Sequence, residues 1–308
     1  MANETILTPT DVSDSQRRRS SRSTALADYW TLTKPEVNFL IMITTFTGFY
    51  LGCVAQARDF SFLRLINTLL GTLLVASGTG TLNQYFERRF DAQMRRTARR
   101  PLVSGRLNPS AVLWFGIALS VIGSVYLALA VNALASLLAM ITLLSYLLFY
   151  TPLKRKTPLC VLVGAFPGAM PPLIGWAAAS GKLTFEAWTL YALLFLWQFP
   201  HFMAIAWMYR EDYDRAGYLV LPHGRVRSVI VALQTKLPLL ALLPLSLLPA
   251  FTGKANIFYW SGALLLGLGF YYYGTQFLLH RTNSAARRLL MASIVYLPSL
   301  FMVMILGR

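Results

Sequence analysis

Long apolar runs of about twenty residues, divided by short polar stretches, set the pattern of this chain. Runs of that length match helices that cross a bilayer. Nine are found, at about 37–56, 65–86, 111–131, 133–151, 159–179, 186–209, 229–251, 256–279 and 288–307. Charge is nearly absent inside them. Lys236 near the start of the seventh is an exception, and Pro238, Pro244 and Pro249 in that run predict kinks that a bundle accommodates. The pattern predicts an all-α polytopic membrane protein with nine transmembrane helices in one bundle over residues 28–308. A disordered cytoplasmic tail, residues 1–27, would precede it. The first 30 residues lack the apolar core of a cleavable signal. Arg17, Arg18, Arg19 and Arg22 among serines suggest a transit peptide, but Glu4, Asp11 and Asp14 break its acid-poor rule.

Composition agrees with this reading. Of the 308 residues, 56% are hydrophobic and 13% charged, against about 25% charged in soluble domains. The mean hydropathy is +0.53. A soluble enzyme and a disordered chain are both excluded. Cys53 and Cys160 lie in apolar stretches and read as small hydrophobes, not as a disulfide framework or a zinc site.

The charge is lopsided. The formal net charge is +16, and 22 of the 28 Lys and Arg fall on alternate connections: the N-terminal stretch, 87–110, 152–158, 210–228 and 280–288. The positive-inside rule places those connections, and the N-terminus, in the cytoplasm; the odd number of spans leaves Arg308 outside. A basic chain often binds nucleic acid, but no loop is long enough for a basic folded domain, so no nucleic-acid partner is expected. Five of the 12 acids, Glu87, Asp91, Glu211, Asp212 and Asp214, sit at the junctions of spans 2–3 and 6–7. Those junctions are four helices apart. An even offset preserves orientation, so two parallel four-helix repeats would each bring one acidic motif to the same mouth.

In the first motif, Asn83, Glu87 and Asp91 recur at i, i+4 and i+8. On a helix they share one face. Two carboxylates and an amide oxygen suit a hard cation such as Mg²⁺, which completes its shell with water and phosphate oxygens. Arg88, Arg95, Arg96, Arg99 and Arg100 nearby then frame an anion site. The simpler alternative is a solvated helix end with i, i+4 pairs. In the second motif, Glu211, Asp212 and Asp214 can supply another cation site. His201 lies ten residues earlier, about 15 Å deeper on a regular helix. A neutral histidine at that depth can ligate a haem iron, or simply bond a neighbouring helix. Lys154, Arg155 and Lys156 after Tyr150 either anchor the membrane face or bind diphosphate, and Lys34 at the mouth of the first span is a similar candidate.

These residues carry a resemblance. Nine spans with two acidic cytoplasmic loops resemble the UbiA-type intramembrane prenyltransferases. Four blocks carry it: Asn83–Arg106; Tyr150–Thr157; Gly164–Trp176 with Pro167, Gly168, Pro171, Pro172 and Gly175; and Trp197–Pro222. The last, Trp-Gln-x-Pro-His-Phe followed by Asp-Tyr-x-x-Ala-Gly, is similar to the branch that farnesylates haem. The resemblance covers roughly residues 28–308. Glu87 stands where many members carry Asp, Glu36 where many carry Arg, and Cys160 where many carry Asn.

The resemblance implies transfer of farnesyl from farnesyl diphosphate to a vinyl group of haem B, with addition of water, giving haem O for haem–copper oxidases. It implies Mg²⁺ held by Asn83, Glu87, Asp91 and Asp212, with Glu211 also in the catalytic set. Lys34, Arg95, Arg96, Arg100, Lys154, Arg155, Tyr150 and His201 would bind the substrates, His201 through the haem iron. Tyr146, Tyr150 and Trp197 would offer aromatic faces to an allylic cation. The setting implied is the bacterial inner membrane, ahead of the mitochondrial one, with haem A synthase or oxidase assembly proteins as partners. The competing readings are prenylation of an aromatic quinone precursor and a secondary transporter. Transporters place charge at the midplane on inverted repeats, unlike the interfacial acids and parallel repeats expected here.

Overall fold

Six of the long helices begin where the sequence supplies a start signal. Pro35 and Pro109 open two helices at a position whose N–H has no helical partner. Ser61, Asn108, Asn132, Asn256 and Thr282 accept a first-turn backbone N–H and cap five helices, the one opened by Pro109 among them. The computed structural model describes residues 24–221, 224–249 and 256–307. Its elements are α1 (24–32), α2 (Pro35–Ala55), α3 (Phe62–Asp91), α4 (Pro109–Ala130), α5 (Ala133–Leu153), α6 (Cys160–Ser180), α7 (Phe185–Met208), α8 (Arg210–Arg215), α9 (Gly224–Pro249), α10 (Ile257–His280) and α11 (Asn283–Leu306). No strand occurs among the described residues.

Eight of these helices, among the described residues, are long and apolar enough to cross a membrane, against nine expected. α10 stands where the eighth span was placed and is helical over 24 residues, yet it is not among the eight. Its four tyrosines and four glycines dilute its leucines. Two expected spans are internally irregular. α5 contains a π turn at Tyr146–Tyr150, and α6 breaks between Gly168 and Pro171, where Pro171 and Pro172 withhold backbone donors. Of the expected tail, 1–23 lies outside the described residues, as do Pro222, Lys254 and Arg308, while 24–27 already belongs to α1.

The helices pack in chain order. α3 lies on α2 and α4, and α4 on α5; α7 likewise lies on α6 and α9, and α9 on α10. The second group thus repeats the neighbour order of the first, and α11 closes against α7 and α10. α6 is the centre. Every residue of Pro171–Ser180 is buried, including Trp176. It can sit there because α2 meets it backbone to backbone. A Cβ on Gly48 would lie 2.1 Å from the Pro172 carbonyl, and one on Gly175 2.0 Å from that of Thr45. Large side chains such as Phe39, Leu129 and Leu265 face outward, as a lipid-facing wall requires.

Candidate active site

α3 runs 30 residues, well past its apolar stretch, and carries Asn83, Glu87 and Asp91 along one buried face. The i, i+4, i+8 reading therefore holds as geometry. Burial demands partners for such groups. Lys154, just beyond α5, donates to both Glu87 oxygens at 2.8 and 3.1 Å. Asn83 donates from Nδ2 to Glu87 Oε2 at 2.9 Å and to Thr151 Oγ1 at 3.3 Å, while its Oδ1 accepts from Lys34 Nζ at 3.0 Å. Arg100 pairs with Asp91 at 2.5 Å.

Two local devices bring these cations in. Lys34 caps α2 in the left-handed region, at φ 54 and ψ 60, which turns the chain from α1 into Pro35. Upstream, the Leu32 carbonyl accepts from Gln84 Nε2 at 2.9 Å, and Asp28 pairs with Arg106. On α5, the π turn sets Tyr146 and Tyr150 edge to face at 4.9 Å and puts Tyr150 under Lys154 Nζ at 4.6 Å. π turns recur at functional sites. Thr151 donates to the Tyr146 carbonyl at 2.9 Å, so it ties this turn to the Asn83 amide.

Three cations thus converge on two carboxylates. Lys34 records the imbalance: burial, then repulsion from Arg100 and Lys154, pushes its pKa down to about 7 against the pull of Glu87 and Asp91. Such a site favours a ligand that brings net negative charge. Its oxygen donors, two carboxylates and one amide, are all hard and fit Mg²⁺. Among the described residues no three His, Cys, Asp or Glu side chains gather as a cage. A cation that keeps phosphate oxygens in its shell needs only one or two carboxylates.

The second motif is arranged differently. The helix of α7 stops at Tyr209, and α8 starts anew, so Asp212 is not on a regular continuation of the His201 helix. Asp212 is buried and accepts the backbone N–H groups of Arg95 at 3.3 Å and Arg96 at 3.2 Å, and it pairs with Arg215. Asp214 pairs with Arg227 at 3.2 Å, and Glu211 is exposed. The structure therefore does not gather Glu211, Asp212 and Asp214 into one cluster. It does join the two motifs through the loop after α3: Asp212 holds Arg95 and Arg96, while Thr97 donates to the Asp91 carbonyl at 2.7 Å. Arg95 and Arg96 are exposed, with Arg96 over the Tyr209 ring at 4.9 Å, and Arg155 lies over Phe90 at 4.2 Å.

His201 sits apart, in the seam between α7 and α11. Its Nδ1 lies 2.8 Å from Ser293 Oγ. That hydroxyl donates to the Leu290 carbonyl at 2.6 Å, so the ring must be the donor, leaving the Nε2 lone pair available. Trp197 stacks on the ring at 4.7 Å and donates to the Ser293 carbonyl at 2.8 Å. Gln198 donates to the carbonyls of Ala165 and Leu194, both at 3.1 Å, and holds α6 to α7. Sequence reading missed Thr151 and Tyr218. Tyr218, whose ring is 5.9 Å from Lys154 Nζ, directly follows the Asp-Tyr-x-x-Ala-Gly motif within the Trp197–Pro222 block.

Comparison with known proteins gives a consistent set of matches. A model of the UbiA prenyltransferase family matches residues 41–301. The chain is similar to a protoheme IX farnesyltransferase from Solibacter usitatus, 49% identical over 92% of this chain and 99% of the relative. One from Koribacter versatilis is 41% identical over 94% and 96%. Among solved structures, a digeranylgeranylglyceryl phosphate synthase superposes with a TM-score of 0.74 at 18% identity, covering 92% of this chain and 98% of that one. A UbiA homologue from Archaeoglobus fulgidus bound to GPP and Mg²⁺ gives 0.63 at 14% identity, covering 90% and 99%.

Proposed function

The chain belongs to the UbiA prenyltransferase family, as a multi-pass membrane protein, and from that premise we propose that it farnesylates haem B at the mouth built around Glu87 and Asp91. The C1–O bond of farnesyl diphosphate breaks, diphosphate leaves, and a C–C bond forms to a vinyl carbon of haem B. Water adds to the other vinyl carbon and loses a proton, giving haem O. The observation that carries this reading is the convergence of Lys34, Lys154 and Arg100 on the Asn83–Glu87–Asp91 face.

Asn83, Glu87 and Asp91 would hold Mg²⁺, and Asp212, expected from sequence as a fourth ligand, would serve that site through the loop it clamps. The ion, when bound, supplies charge for the leaving diphosphate. Lys154, Arg100 and Lys34, already gathered at the mouth, stabilise the same developing charge. The loop clamped by Asp212 brings Arg95 and Arg96 to that mouth. Tyr146 and Tyr150 present ring faces beside Lys154, suited to an allylic cation. The bundle around them keeps bulk water from that cation. His201 offers Nε2 to the haem iron, with Ser293 fixing the tautomer as such ligands require. The lysine- and arginine-rich connections face the cytoplasm of a bacterial inner membrane in this reading.

Purified protein given farnesyl diphosphate and either haem B or 4-hydroxybenzoate tests the proposal by product mass. The expected product is farnesylhydroxyethyl haem. Prenylated hydroxybenzoate with no haem product sinks the reading. For His201→Ala, haem affinity and activity both unchanged remove the iron ligand.

A further inference from the structure

The wall between α5 and α6 holds a groove of about 530 Å³, lined by Ile141, Leu144, Ser145, Phe149, Val163 and Phe166. Its size falls within the usual 300–1,000 Å³ or so of small-ligand pockets. The lining is apolar in effect. Its one hydroxyl, on Ser145, is turned back onto the carbonyls of Ile141 at 2.6 Å and Thr142 at 3.1 Å.

The groove lies near the end of α5 that carries the basic connection. Phe149 is one turn before the end of α5, and Val163 is in the first turn of α6. The connection 154–159 joins the two helix ends that line the groove. Its three cations part company. Lys154 turns inward to Glu87 and Arg155 lies over Phe90, whereas Lys156 is exposed. Among the described residues no acid pairs with Lys156.

We propose that this groove holds an acyl chain of an anionic glycerophospholipid whose phosphate sits on Lys156. Charge complementarity at the mouth selects an anionic headgroup over a zwitterionic one. The prenyl tail of the donor is a poorer occupant. Tyr150, next to the groove's Phe149, packs so closely on α6 that a Cβ on Gly164, next to the groove's Val163, would come within 2.5 Å of its ring, and Lys154 Nζ lies over that ring. None of the residues assigned to the reaction lines the groove.

The test uses the full chain in detergent micelles, titrated with phosphatidylglycerol or phosphatidylcholine while bound lipid is counted by native mass spectrometry. Phosphatidylglycerol should bind in preference, and Lys156→Gln, an exposed change, should weaken it roughly five-fold. Val163→Phe, which fills the groove, should lower binding of both lipids. Equal binding of the two lipids, or an unchanged preference in Lys156→Gln, overturns the proposal. So does a raised KM for farnesyl diphosphate in lipid-free Val163→Phe, because the groove then belongs to the substrate.

Discussion

The two acidic motifs face the same loop but are neutralised in opposite ways. On α3, Glu87 and Asp91 are met by the tips of long side chains, Lys154 and Arg100. Those chains can pivot, so a cation with its own anion can enter and trade partners. At Asp212 the carboxylate is met by two backbone N–H groups as well as Arg215. Backbone cannot pivot without remaking the loop. One motif is thus built to exchange ligands and the other to hold a shape, although by sequence both read as clusters of acids beside arginines.

The sharpest break of that contrast is Asp91→Asn. Loss of one charge from the exchanging motif should lower kcat about 10²–10³-fold, read by haem-product formation, with the protein still purified as a folded species. Next, Lys154→Met leaves Glu87 buried without its cation and should cost about 3–5 kcal/mol of stability, seen as a lower Tm in detergent. Adding Glu87→Gln to that variant should restore much of the Tm while activity stays lost. Asp212→Asn keeps an oxygen that accepts N–H, so its effect should be smaller. Loss of one charge-assisted contact, about 1.5–3 kcal/mol, would show mainly in KM for farnesyl diphosphate. If Asp212→Asn matches Asp91→Asn in kcat, the two motifs do one job and the contrast is broken. Smallest is Thr151→Val, which frees the Asn83 amide from the π turn. A several-fold rise in the Mg²⁺ needed for half activity is expected, about 1 kcal/mol, and Thr151→Ser should reverse it.

Much of this was legible in the chain. Hydropathy locates the helices because a bilayer forces backbone bonding within each segment. The α3 stripe is a matter of local period, so spacing alone reveals it. What escaped is what distance along the chain conceals. Nothing beside Asp212 announces that its oxygens serve the backbone of Arg95 and Arg96, over 100 residues away. The break at Tyr209 has no proline or glycine to mark it, so regular spacing mislaid His201 relative to Asp212. α10 fell outside the apolar set because tyrosine and glycine can face protein or lipid without raising hydropathy.

The left-handed turn at Lys34 has a consequence for biogenesis. The chain enters the membrane from its N-terminus, so partners become available in order of synthesis. Asp91 finds Arg100 nine residues later, but Glu87 must wait 67 residues, through two further helices, for Lys154. Lys34 has by then already emerged, parked at the start of α2 within reach of Asn83. It is the early escort of the acidic stripe, present on the ribosome's schedule before the permanent counter-charge has been made.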